Sequence, residues 1–168
     1  MTKPRSDTQH LLDRAAIHDV LVRYFQGIDL GNEQQVRDCF TADIQANYHG
    51  RPFVRGIDAL IASIPSFAKQ ASGEWIVSTH FMGNLHYKFL EGDLAETENN
   101  GFAFLVLAGQ PTDQVAMRSL RYLDKWRRVD GQWRISERLH TLDWACQVPP
   151  TFAIPLAQRK GFIPERMP

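Results

Sequence analysis

The chain has 168 residues, 43% of them hydrophobic and 23% charged, with nineteen basic side chains balanced by nineteen acidic ones. That length suits one domain with a real core, and that usage excludes a disordered, fibrous or membrane-spanning chain. A neutral balance leaves no field to gather a polyanion, so neither nucleic acid nor an acidic membrane surface is an expected partner.

The first residues, MTKPRSDTQ, lack an apolar signal core, and no segment reaches transmembrane length, so a cytoplasmic location is expected. Cys39 and Cys146 are too few and too far apart for a disulfide scaffold or a thiolate zinc site, and read as reduced, structural thiols.

Ser6 followed by Gln9 has capping-box spacing, and Ile17, Val20, Leu21, Tyr24, Phe25 and Ile28 recur at helical intervals. A first helix is predicted from about Asp7 to Leu30, with Gly31 as its stop. Asn32 then caps a shorter helix to about Phe40, with Gln35 at the capping-box position. Ile44, Ala46 and Tyr48 alternate with polar residues and predict a short strand ending at Gly50. A third helix is predicted over Ile57 to Lys69, bent or broken at Pro65, which has no amide proton to give.

From Trp75 onward the chain reads as strands: Trp75–Met82, Leu85–Leu90, Leu94–Leu107, Val115–Val129 and Gln132–Trp144. Turns are marked at Gly83-Asn84, Gly92-Asp93, Pro111-Thr112-Asp113 and Asp130-Gly131, the last being the strongest hairpin signal. Lys125, Arg127 and Arg128 lie along one strand and read as a solvated face. Helices first and a meander afterward predict an α+β domain, a strongly curved mixed or antiparallel sheet against three N-terminal helices. The domain is placed at 1–145, and the proline-rich segment 146–168 is expected to pack on it or on a neighbouring subunit.

Two residues draw attention for chemistry. Asp29 falls in the last turn of a long helix, where unpaired carbonyls disfavour a carboxylate. It is either an exposed turn cap or a group with a partner elsewhere. His80 has the opposite parity from Trp75, Val77, Thr79 and Phe81, and points either into a pocket or to solvent. If the first helix crosses the sheet the two meet, and a carboxylate on one ring nitrogen leaves the other to move a proton near neutral pH.

The stretches RYFQGIDLGN, THFMGN and LRYLDKWRRVDGQWRISERL resemble the SnoaL-like branch of the nuclear transport factor two-like superfamily, over about Asp7 to Trp144. Within it the chain is similar to the group holding scytalone dehydratase, bile-acid 7α-dehydratase and hexachlorocyclohexane dehydrochlorinase. The resemblance implies a cone-shaped barrel and a catalytic Asp29–His80 dyad. It further implies substrate contacts from Tyr24 (otherwise a helix core aromatic), Tyr48 (with His49 as competitor) and Arg138 (otherwise a surface ion-pair partner of Glu137 or Asp124). Scytalone dehydratase carries a second pocket histidine where this chain has Glu98, Asn99 and Asn100, so Asn99 or Asn100 is expected to orient substrate there.

No metal or other cofactor is expected. The histidines lack zincin spacing, His140 with Asp143 makes a weak metal pair, and neither a phosphate loop nor a Gly-x-Ser-x-Gly elbow occurs. The expected activity is a cofactor-independent lyase on a ring-bearing apolar small molecule, acting by dehydration, dehydrohalogenation or retro-aldol loss of a fragment such as formaldehyde. The alternatives are an isomerase or polyketide cyclase, and a non-catalytic assembly module like the β subunits of ring-hydroxylating dioxygenases. A dimer or trimer of identical chains is expected.

Overall fold

The computed structural model describes residues 7–109 and 113–149. The Ser6 cap, the Pro111-Thr112 part of one turn and the segment from residue 150 onward lie outside the described residues. Four helices and six strands follow in chain order: α1 (Asp7–Leu30), α2 (Glu33–Arg37), β1 (Phe40–Tyr48), β2 (Val54–Arg55), α3 (Ile57–Ser63), α4 (Pro65–Ala71), β3 (Trp75–Glu91), β4 (Leu94–Leu107), β5 (Gln114–Val129) and β6 (Gln132–Val148). The strands form one unclosed mixed sheet in the order β2-β1-β6-β5-β4-β3, with β1 parallel to β6 and the other pairs antiparallel.

The helices cover one face. The predicted apolar stripe of α1 is its buried face, and its residues join Phe40, Ile44, Tyr122, Trp126, Trp133 and Ile135 in the core. Asp13 ties this helix to the last hairpin, accepting from the Trp133 indole at 3.3 Å and pairing with Arg128. Gly31, at φ 64°, ends α1 in a left-handed turn, so that Asn32 N–H reaches Gly27 O at 2.8 Å and Gly31 N–H reaches Ile28 O at 3.3 Å. Gln70 on α4 donates to the same Ile28 carbonyl at 2.7 Å, which fixes this helix end against α4.

Several boundaries differ from expectation. Helix α2 stops at Arg37, because Phe40 already belongs to β1 and is buried in the core. Pro65 does break the third helix: it opens α4 at the first position, where its missing N–H costs nothing, and Ile64 before it is extended. Gly83-Asn84 is not a turn. It lies inside β3, where one extra residue is accommodated between the Met82–Gly101 and Leu85–Asn99 pairs. A Cβ on Gly83 would stand 2.9 Å from Asn100 O, and one on Gly101 3.0 Å from Phe81 O, so the close passage of the strands accounts for both glycines.

Asp130 and Gly131 both have positive φ, 50° and 76°, and join β5 to β6 as the predicted tight hairpin. Strand β6 then runs on through Val148, so the first residues of the expected tail continue the sheet. Among the described residues, no helix is long and apolar enough to cross a membrane.

Candidate active site

The last turn of α1 lies against the first half of β3. Asp29 Oδ1 stands 2.6 Å from His80 Nδ1, its Oδ2 accepts the His80 backbone N–H at 2.8 Å, and the Ser78 hydroxyl donates to Oδ1 at 2.8 Å. Burial alone would raise the Asp29 pKa. The bonds from His80 and Ser78, with the charge of His80, outweigh it and leave the carboxyl below its usual value. The unfavourable helix end is therefore offset by a dedicated set of donors.

Phe25, one helical turn before Asp29, stacks on the His80 ring with centroids 5.6 Å apart and planes 22° apart. Orientation and tautomer of the imidazole are thus both constrained. Nδ1 is engaged, and Nε2 is the nitrogen left for the cavity that His80 lines.

That cavity, of about 720 Å³ with its open mouth included, lies between the helices and the inner face of the sheet. Its apolar wall includes Ile28, Ile64, Pro65, Trp75, Leu105, Leu120 and Leu142; its polar wall includes Tyr24, Tyr48, Ser66, His80, Tyr122 and His140. Buried Ala103, exposed His49 and half-buried Arg51 and Arg118 complete it. The Tyr24 and Tyr48 hydroxyls are 3.1 Å apart. Burial, then the neighbouring Tyr48 and Tyr122, push the Tyr24 pKa well up against a smaller opposing effect of Arg138, so Tyr24 remains a proton donor.

The residues expected to touch substrate divide into two groups. Tyr24, Tyr48 and the competing His49 line the cavity with His80. Arg138 and Asn99 do not line it, although both are buried. The Arg138 guanidinium is clamped by Asp124 through two bonds of 2.7 Å, and lies 4.2 Å from the Tyr24 ring centre and 4.7 Å from that of Tyr122. It supports the tyrosines from behind. Asn99 pairs in register with Tyr122, while Asn100, the next residue along the same strand, is exposed; side chains alternate across a sheet, so only one of the two can face inward.

His140 was not expected in the site, and the reason is a bulge. Lys125 pairs with Glu137 while the next residue, Trp126, pairs with Ile135, so Ser136 is an extra residue in β6. Inward parity changes there, from Trp133 and Ile135 to Arg138, His140 and Leu142. A similar extra residue, Ile76, lets Trp75 share the cavity with His80 despite opposite parity. Ser78 did carry a signal, since it stands two residues before His80 and so shares its face. His140 packs against the Tyr48 and Tyr122 rings at 5.1 and 4.9 Å, and its Nδ1 has no partner among the described residues. Burial, then the nearby charges of Arg138 and Arg51, depress its pKa to about 3. It is a neutral imidazole at physiological pH.

A family model described as a SnoaL-like domain matches residues 9–139. The chain belongs to the SnoaL-like family. Solved structures agree on the fold: a type 2 hexachlorocyclohexane dehydrochlorinase superposes with a TM-score of 0.75 at 18% identity, covering 90% of this chain and 99% of its own. A type 3 dehydrochlorinase from Novosphingobium barchaimii gives 0.73 at 20% identity, covering 89% and 99%. A scytalone dehydratase-like protein from Novosphingobium aromaticivorans gives 0.74 at 18%, covering 90% and 97%. No curated protein matches the sequence significantly. The SnoaL-like chain thus has the nuclear transport factor two-like fold that its sequence resembles.

Proposed function

We propose that this SnoaL-like protein is a cofactor-independent lyase acting on a ring-bearing, largely apolar small molecule, with His80 as general base and Asp29 as its orienting partner. The observation that supports this most is the Asp29 carboxylate held by His80 Nδ1, the His80 amide and Ser78 at 2.6 to 2.8 Å, beside a cavity with a largely apolar wall.

His80 Nε2 takes a proton from a carbon next to an electron-withdrawing or aromatic centre. The freed electron pair forms the double bond as a β-substituent leaves, and the imidazolium is stabilised by Asp29. If the leaving group is hydroxide, the Tyr24–Tyr48 pair is placed to give it a proton and release water. If it is halide, no acid is needed. In a retro-aldol cleavage the same base takes the proton of a hydroxyl, the carbon–carbon bond breaks to release an aldehyde, and the electron pair left on the remaining carbon takes a proton back from the imidazolium.

The test is a screen of ring-bearing alcohols and halides with metal-free wild-type protein and His80→Ala, read by mass spectrometry. A lyase lowers the substrate mass by water, hydrogen halide or a small aldehyde, and His80→Ala loses the reaction. An unchanged product mass would replace the lyase reading by an isomerase or cyclase one. Turnover that survives both Asp29→Asn and His80→Ala would remove the dyad from the mechanism.

A further inference from the structure

The walls of the cavity are unbalanced in charge. Among the described residues that line it there is no carboxylate, whereas the guanidiniums of Arg51 and Arg118 both line it, beside the imidazoles of His49 and His80 and the neutral one of His140. Asp29 is the nearby acid, and it is engaged by His80. Elsewhere Arg37, Arg121, Arg127, Arg128 and Arg138 each pair with a carboxylate. Arg14, Arg23 and Arg55, which have none among the described residues, are exposed to water, and Arg134 is half-buried without one. Arg118 has neither an ion pair nor a side-chain hydrogen bond to any described residue, and Arg51, which lines the same cavity, is near enough for its charge to act on it. Burial and the charge of Arg51 both act to lower its pKa. Two guanidiniums on one half-buried wall without a counter-ion are an electrostatic cost in the empty protein, and an anion entering between them removes that cost.

The register across the sheet says where that anion sits relative to the base. His80 on β3 pairs with Ala103 on β4, and Ala103 pairs with Arg118 on β5. Directly paired residues share a face, so these side chains form one row along the cavity floor. Two strand spacings separate the His80 and Arg118 backbones by about 10 Å. The residue between them is alanine, buried and lining the cavity, which leaves room above the floor for a flat ring. Arg51 is anchored beside this wall, with Nη1 donating to Ser63 O at 2.6 Å and its remaining donors uncommitted to any carboxylate.

We propose that the substrate carries a carboxylate, received by the guanidinium of Arg118 with Arg51 alongside, while its ring lies over Ala103 and its reacting C–H or O–H meets His80. The inference deepens the lyase reading and rests on it for the identity of the base, but the anion site stands on its own residues. A carboxylate gripped at the far end of the row fixes the substrate's direction in a pocket whose apolar walls do not. It also keeps the negative charge away from Asp29. The substrate class is therefore an aromatic or alicyclic acid rather than a neutral hydrocarbon or halide.

Binding to the full-length chain tests this without knowledge of the reaction. Calorimetry compares 3-phenylpropanoate with 3-phenylpropanamide, which has nearly the same shape and no charge. Wild-type protein is expected to bind the carboxylate about ten- to a hundredfold more tightly, the difference that charge-assisted hydrogen bonds supply. Arg118→Gln is expected to abolish most of that preference, Arg118→Lys to keep part of it, and Arg51→Gln to weaken it. His80→Ala is expected to keep it whole. Equal affinity for acid and amide, no saturable binding of the acid, or a preference untouched by both Arg118→Gln and Arg51→Gln overturns the proposal. Should Arg118→Gln fail to fold, a preference unchanged in both Arg118→Lys and Arg51→Gln overturns it equally. A carboxylate preference combined with turnover that survives His80→Ala would leave the anion site standing and overturn the base instead.

Discussion

Two carboxylates of this protein are each paired with a basic side chain, and the pairs differ in nearly every other respect. Asp29 and His80 meet at the edge of the cavity, their side chains 20% and 9% exposed, through one side-chain bond and a set of lesser supports. Asp124 and Arg138 meet behind it, both at 0%, through a bidentate clamp under the rings of Tyr24 and Tyr122. An imidazole with one nitrogen tied and one free can accept a proton. A guanidinium locked by a carboxylate and by aromatic faces can accept nothing and release nothing. On the proposed mechanism the first pair reacts and the second holds shape.

The largest expected effects test that separation directly. His80→Ala should lower turnover about 100- to 10,000-fold, the usual worth of a positioned proton-transfer group, with little change in melting temperature because His80 sits at the cavity edge. Asp124→Ala should do the reverse. It strands the Arg138 charge in the interior and should cost about 3–5 kcal/mol of stability in chemical denaturation. Replacing both partners, Asp124→Leu with Arg138→Met, should recover most of that loss, because an apolar pair of similar bulk has no charge to desolvate. If Arg138→Met alone abolished turnover in a protein of unchanged stability, Arg138 would belong to the chemistry and the contrast would fail.

A smaller effect concerns His140, the neutral imidazole between the two pairs. Its pKa is about 3 in the folded protein, below the ordinary value of 6.5. The unfolded chain therefore binds the extra proton first as pH falls. Stability from this group is fully present above pH 6.5 and is lost between there and about 3, by up to about 1.4 kcal/mol per pH unit. Asp29, whose carboxyl is held below its usual value, loses its own contribution only at the acid end of that range. Denaturation at pH 7, 6, 5 and 4 should show the slope in wild type and a flatter one in His140→Gln. Equal slopes would mean that His140 already carries its proton when folded.

The sequence carried the helical half of this site well and the strand half less well. Helix α1 has a stripe of period near 3.6 and a glycine stop, so Tyr24 and Phe25 could be placed on its buried face and Asp29 in its last turn beside that stripe, whereas the partner of Asp29 came only from the resemblance. Strand faces depend on parity, and a single extra residue inverts it. Parity alone left His80 pointing either into a pocket or to solvent, and the resemblance decided between them; the strand runs without interruption from Val77 to Met82, whereas His140 lies beyond the Ser136 bulge and Trp75 before the extra Ile76. Gly83-Asn84 carried the composition of a turn but serves the close approach of two strands, which only the partner's backbone reveals. Arg138 looked like a pocket residue by resemblance and a surface ion-pair partner of Glu137 or Asp124 by its residues; the pair with Asp124 is the one that forms, fourteen positions away and fully buried, and nothing local signals that burial.

The smallest effect asks how much of the reactive pair's character comes from its supports. Ser78 donates one hydrogen bond to Asp29 at 2.8 Å and makes no contribution through its carbon skeleton that alanine would lack. Ser78→Ala should therefore leave the fold intact and remove one of the bonds that hold the Asp29 pKa down, a loss of about 0.5–1.5 kcal/mol. Asp29 then keeps its proton to a slightly higher pH. The acid-side loss of stability to which Asp29 contributes, read by denaturation below about pH 5, should therefore begin a few tenths of a unit to about one unit higher in pH. Turnover at neutral pH should fall by no more than about tenfold, since the two bonds from His80 remain. An acid transition that did not move would show that His80 alone sets the state of the carboxylate.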